Sequence, residues 1–132
     1  MQKNSVRKVL VADDEPEILD LLSLTLEDDE RYSVLTARDG EEALRVCRAE
    51  RPEIVFLDVQ MPRMDGVAVC ERIRRDPAIA GMKIVMLTAM AQEAEIDRAL
   101  AAGADDYMTK PFSPTALHRK LLEAMGFEEA AA

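Results

Sequence analysis

The chain has 132 residues, 48% of them hydrophobic, with 26 acidic and 17 basic side chains and a formal charge of −9. That length suits one domain and that apolar share opposes disorder, while the acidic balance opposes direct nucleic-acid binding, which needs a basic field. No apolar run reaches the ~18–20 residues of a membrane span, and the polar start Met1-Gln2-Lys3-Asn4-Ser5 lacks a signal-peptide core, so a cytoplasmic location is expected.

In chain order, Arg7-Lys8-Val9-Leu10-Val11-Ala12 reads as a first strand, stopped by Asp13-Asp14-Glu15-Pro16. Acids beside a Pro in the first turn mark a helix start, and Ile18, Leu19, Leu22 and Leu26 recur at helical spacing up to Glu27-Asp28-Asp29. Tyr32 to Ala37 alternates partly and suits a strand near a sheet edge. Asp39-Gly40 opens a second helix with Ala43, Leu44 and Cys47 facing inward, closed by Arg51-Pro52. Ile54-Val55-Phe56-Leu57-Asp58 is a continuous apolar run ending in an acid, as in a strand buried on both faces of a parallel sheet.

Gly66 begins a third helix carrying Val67, Cys70 and Ile73, which Asp76-Pro77 ends. Lys83 to Leu87 is a fourth strand, followed by Thr88-Ala89. The helix from Ala91 to Ala102 has a thin apolar stripe of Ile96, Leu100 and alanines, and Gly103 caps it. Ala104 to Met108 supplies a short fifth strand, and Ser113-Pro114 leads into a helix with Leu117, Leu121, Leu122 and Met125. Strict strand–helix alternation predicts one doubly wound α/β domain, a five-stranded parallel sheet with helices on both faces, over residues 6–125. Residues 126–132 read as a tail or the start of a linker.

Cys47 and Cys70 form no CxxC pair and sit among apolar residues, so both are expected to be reduced and buried. The basic clusters Arg72-Ile73-Arg74-Arg75 and His118-Arg119-Lys120 are expected to be solvated helix faces.

A parallel sheet brings the residues after its strands to one edge. Here these are Asp13 and Asp14, Asp58, Thr88 and Lys110. Crowded carboxylates repel unless a cation lies between them, and hard oxygen ligands favour Mg²⁺ or a similar ion. With a lysine and a hydroxyl opposite, the pocket suits an oxygen-rich dianion, phosphoryl being the natural candidate. Singly, each group has an ordinary role: helix start, turn, cap, surface lysine. Their joint placement at four strand ends is the signal.

Four motifs carry a resemblance: Leu10-Val11-Ala12-Asp13-Asp14-Glu15-Pro16, Leu57-Asp58-Val59-Gln60-Met61-Pro62-Arg63-Met64-Asp65-Gly66, Leu87-Thr88-Ala89, and Tyr107-Met108-Thr109-Lys110-Pro111-Phe112. From Val9 to about Met125 the chain resembles the receiver domain of bacterial two-component response regulators, a CheY-like, flavodoxin-like (βα)5 fold. The resemblance implies strand order 2-1-3-4-5. It implies that Asp58 accepts a phosphoryl group from a sensor histidine kinase or histidine phosphotransfer protein. By the same resemblance Mg²⁺, or Mn²⁺ in its place, is held by Asp14, Asp13, Asp58 and the Gln60 backbone carbonyl. Lys110 then neutralises developing charge, Thr88 and the Ala89 backbone N–H bind the phosphoryl, and Thr88 and Tyr107 act as the switch. Lys110-Pro111 is implied to be a cis peptide.

The implied output face comprises the fourth helix, fifth strand and fifth helix, with Met90, Ala91, Gln92 and Ala94 near it. Its readers would be an output domain, an effector protein or a phosphorylation-linked homodimer. Met90 stands where the family often has a polar residue, and with Gln60 it would flank the phosphoryl. No turnover of an external substrate is expected, only self-phosphorylation and autodephosphorylation. Two alternatives remain: a phosphorylation-independent docking module, which usually lacks an acid or the lysine, and a haloacid dehalogenase-type aspartate phosphatase, which needs an acid where Gln60 stands.

Overall fold

The computed structural model describes residues 7–27, 30–89, 93–111 and 113–125. Among them, strands and helices alternate as β1 (Arg7–Ala12), α1 (Pro16–Glu27), β2 (Tyr32–Ala37), α2 (Gly40–Glu50), β3 (Ile54–Asp58), α3 (Gly66–Arg75), β4 (Lys83–Thr88), α4 (Glu93–Ala101), β5 (Asp106–Thr109) and α5 (Pro114–Met125). The strands form one sheet in the order β2-β1-β3-β4-β5, every pair parallel. This is the expected flavodoxin-like arrangement, with β2 at an edge.

Period-two alternation along the central strands divides the core between the two faces of the sheet. Leu10, Ala12, Val55, Leu57, Ile84 and Met86 pack on one face against Ala43, Leu44 and Cys47 of α2, Cys70 and Ile73 of α3, and Ala99 of α4. Val9, Val11, Ile54, Phe56, Val85 and Leu87 pack on the other against Leu19 and Leu22 of α1 and Leu117 and Leu121 of α5. All five residues of β3 are buried, which explains its unbroken apolar run. Each fully buried large side chain contributes about 1.5–3 kcal/mol, so the central strands are firmly held. Local signals set the helix ends. Asp39 caps α2 by accepting the Glu42 N–H, and Asp65 caps α3 by accepting the Ala68 N–H.

Cys47 and Cys70 are free and buried, as expected. Burial pushes their thiols up to about 12 and about 11, so both stay protonated and behave as small hydrophobes. No helix among the described residues is long and apolar enough to cross a membrane. Val6, Asp28, Asp29, Met90, Ala91, Gln92, Phe112 and residues 126–132 lie outside the described residues, as do the side chains of Leu26 and Met125.

Four local expectations are corrected. β5 begins at Asp106, not Ala104, because the Ala104 N–H still donates to Ala99 O and finishes the helix. Within α4 the buried residue is Ala99, while Leu100 is 43% exposed. A small side chain faces the sheet there, and the next position turns ~100° away from it. Lys120 is drawn back onto the sheet by Asp106 Oδ2 at 2.8 Å.

Arg74 is not on a solvated face. Its guanidinium donates to Gly103 O at 2.8 Å, Ala80 O at 2.8 Å, Met82 O at 2.6 Å and Asp105 Oδ2 at 3.0 Å. Asp105 Oδ2 also accepts the Ile84 N–H at 2.8 Å. One side chain thus ties the end of α3 to the start of β4 and to the α4–β5 turn. Replacing Arg74 with Met strands three carbonyls and a carboxylate, and should cost about 2 kcal/mol. Thermal unfolding should show a drop of roughly 6–8 °C, at about 3–4 °C per kcal/mol for a domain of this size. An unchanged midpoint would show that water replaces the guanidinium at no cost.

Candidate functional site

Because every strand runs the same way, the strand C-termini open on one edge. Asp13 follows β1, anchored there by its N–H to Ala37 O at 3.0 Å. Asp58 is the last residue of β3, and Thr88 the last of β4. Lys110 follows β5, its N–H bonded to Thr88 O at 2.7 Å. Strand register therefore sets the spacing of these groups.

Carboxylate oxygens of Asp13, Asp14 and Asp58 all lie within 4.8 Å of one another. Lys110 Nζ sits among them, 2.8 Å from Asp13 Oδ2, 2.9 Å from Glu15 Oε1 and 3.3 Å from Asp58 Oδ2. Asp13 is wholly buried, and its Oδ1 accepts the Glu15 N–H at 2.9 Å. Asp14 is exposed. Of the two adjacent acids, then, one is locked inside by a lysine and a backbone amide while the other faces the open side.

Burial raises the pKa of the Asp58 carboxyl, and the nearby charge of Asp13 raises it further. Lys110 and the Gln60 N–H, 3.3 Å from Asp58 Oδ1, oppose this without cancelling it, and the result is about 7. For Lys110, burial works against the ammonium, but Asp13, Glu15 and Asp58 outweigh it and push its pKa up. The lysine is therefore a permanent cation at the mouth of the sheet, and it does not neutralise the carboxylates fully.

Asp14, Asp58, Gln60, Thr88, Ala89 and Lys110 line one open cleft. Three acids with a residual mutual repulsion and no nitrogen or sulfur donor fit a hard divalent cation. No other group of at least three acids, histidines or cysteines with metal-ligand geometry occurs among the described residues. Thr88 is 3% exposed and Tyr107 is 36% exposed. Tyr107 lies beside Met86 in the sheet, whereas Thr88 pairs with Thr109, so Tyr107 stands apart from the carboxylates. The Lys110–Pro111 peptide is cis, as the resemblance implies.

Sequence reasoning missed Glu15, which shares Lys110 with two of the aspartates. As the third acid of Asp13-Asp14-Glu15 it reads only as part of a helix start, since its lysine partner lies 95 residues on. It also missed Glu95, which reaches the cleft from α4.

A family model described as the response regulator receiver domain matches residues 9–122. The chain is 43% identical over 126 residues to the alkaline phosphatase synthesis transcriptional regulatory protein PhoP of Bacillus subtilis, covering 96% of this chain and 51% of that protein. It is 40% identical over 105 residues to the DNA-binding dual master transcriptional regulator RpaA of Synechocystis, covering 80% of this chain and 43% of that one. The chain thus spans about half the length of the curated relatives it matches. Among solved structures, the chemotaxis response regulator CheY4 of Vibrio cholerae superposes with a TM-score of 0.85 at 34% identity, covering 90% of this chain and 98% of that one. The BeF3-activated DrrB receiver domain superposes with a TM-score of 0.82 at 30% identity, covering 92% and 98%.

The raised Asp58 pKa has a signed consequence. The folded protein keeps this proton after the unfolded chain, with an ordinary carboxyl near 3.8, has lost it. On this group's account stability is greatest below pH ~4, falls as pH rises, and is fully lost above about 7. In EDTA, the melting temperature of Asp58→Asn minus that of wild type should therefore grow by at least ~3–4 °C between pH 5 and pH 8. Millimolar Mg²⁺ at pH 8 should raise wild type more than the variant. A gap independent of pH would contradict the assigned Asp58 environment.

Proposed function

The chain belongs to the response regulator receiver domain family of two-component systems, and from that membership we propose that Asp58 is its phospho-acceptor. The observation that supports this best is Lys110 among Asp13, Glu15 and Asp58, at the edge where Asp14 faces the open side. Asp58 Oδ attacks the phosphorus of a phosphohistidine on a sensor kinase or phosphotransfer protein. A P–O bond to Asp58 forms in line as the P–N bond breaks, and the imidazole leaves with its electron pair and takes up a proton.

Asp14, Asp13, Asp58 and the Gln60 backbone carbonyl would hold Mg²⁺, with Mn²⁺ as a substitute; when bound, the ion supplies positive charge for the phosphoryl oxygens. Asp58 must be ionised to attack, and Lys110 favours that form. As charge passes to the phosphoryl oxygens, the Lys110 ammonium has only to swing from its carboxylate partners to meet them. The Thr88 hydroxyl and the Ala89 N–H close the opposite wall of the cleft around the phosphoryl group. Hydrolysis of the aspartyl phosphate resets the site, and no external substrate is turned over.

Phosphorylation adds about −1.5 to −2 charges and new acceptors, enough to bias a packed two-state element. Thr88 moves toward the phosphoryl, and the Tyr107 ring turns into the vacated space. The face of α4, β5 and α5 carries the change to an output domain, an effector or a second copy. Ala99 is the one buried residue described in α4, which suits an element that shifts.

The test is covalent labelling. With Mg²⁺ and acetyl phosphate, wild type should acquire an acid-stable, base-labile phosphoryl adduct. Asp58→Asn should lose at least about tenfold of that label, and EDTA should abolish it. Equal labelling of Asp58→Asn would sink the assignment.

A further inference from the structure

Resting on the metal-site reading above, we propose that Gly40 is a positioning residue for Mg²⁺: its missing side chain seats the β3–α3 loop that presents the Gln60 carbonyl. Gly40 lies at the start of α2, outside the cleft and 18 residues before Asp58. A Cβ built there would overlap the carbonyl oxygen of Met64 and stand 2.6 Å from its carbonyl carbon. The Gly40 N–H also points at the same loop, donating to Pro62 O at 3.4 Å.

The loop has two other kinds of anchor. At its β3 end the Val59 N–H donates to Leu87 O at 2.9 Å, and the Gly66 N–H donates to Val59 O at 2.8 Å. Gly66 is itself pressed on the site: a Cβ there would overlap the Asp58 carbonyl oxygen and lie 3.0 Å from Val59 Cα. At the far end Arg63 holds a left-handed backbone, φ 71°, with Nε 3.5 Å from Asp39 Oδ2. Between these points Gln60, Pro62 and Arg63 are exposed, with only the Met61 side chain buried. The stretch carrying the Gln60 carbonyl is held mainly from its ends, and one end is the seat on Gly40.

Of the two partners, the loop is the one that yields. α2 is fixed by the Asp39 cap, by Glu42 Oε1 accepting the Arg38 N–H at 2.8 Å, and by fully buried Ala43 and Cys47. A methyl group at position 40 therefore displaces the exposed loop, not the helix. Bond geometry passes a shift at Met64 back through Pro62 and Met61 to Gln60. Groups that orient ligands from outside the coordination sphere typically change metal affinity ~10–100-fold when lost.

The experiment compares wild type, Gly40→Ala, Arg63→Ala and Arg74→Met. Calorimetric Mg²⁺ titration gives affinity, and amide hydrogen exchange in EDTA reads the loop without metal. Gly40→Ala should exchange faster over residues 60–64 and bind Mg²⁺ about tenfold more weakly. Arg74→Met should lose stability and keep wild-type Mg²⁺ affinity, which separates positioning from general destabilisation. Gly40→Ala binding Mg²⁺ like wild type overturns the proposal, whether or not the loop exchanges faster. If Gly40→Ala does not fold, Arg63→Ala decides. Loss of its exposed pair with Asp39 should weaken Mg²⁺ about threefold, and an unchanged affinity overturns the proposal. Wild type that binds no Mg²⁺ overturns the metal-site reading and this proposal together.

Discussion

One ammonium group between two buried acids and an exposed one is the constraint on which the rest depends. Lys110 is within 3.3 Å of Asp13, Glu15 and Asp58, the first two from the turn after β1 and the third from the end of β3. Without that cation the strand ends would repel one another, and burial would drive protons onto the carboxylates. With it, Asp58 still has its pKa pushed up to about 7. The site is thus only partly neutralised, and a further cation that takes the place of the Asp58 proton would relieve the remaining repulsion.

The sheet makes this arrangement possible by being stiff. β1, β3 and β4 are buried on both faces, and their parallel register brings Asp13, Asp58 and Thr88 to one edge. Electrostatic strain at the edge is carried by a core that cannot easily rearrange. Around that edge the connections differ in how firmly they are held. The β3–α3 loop is seated by two glycines against backbone carbonyls. α4 is tied at its C-terminal side through Arg74 and Gly103, and buries only Ala99 among its described residues. A loop pinned at its ends thus lies beside a helix that buries little, so the two connections around the cleft differ in how freely they can respond.

Much of this was legible in the residues. Alternating apolar runs and turn signals gave all the elements, and the acids, hydroxyl and lysine at strand ends gave the cleft. The sequence misled where a side chain's role depends on a distant neighbour. Arg72-Ile73-Arg74-Arg75 has the composition of a solvated face, yet Arg74 turns inward because three carbonyls and Asp105 converge on it. Leu100 looked like core because it is apolar, yet the α4 face toward the sheet has room for Ala99 instead. Glu15 looked like helix-start chemistry, and nothing local reveals that it faces a lysine 95 residues away.

By itself the sequence determined the strand–helix alternation, the doubly wound class and the kinds of group that end each strand. Local periodicity and turn chemistry are written in neighbouring residues, so they can be read without knowing the fold. Only the tertiary structure decided which acid is locked and which is open, how Lys110 divides itself among its partners, and why position 40 has no side chain. Those outcomes depend on contacts between segments that only the folded sheet brings together, where distances of a few ångströms set both charge and fit.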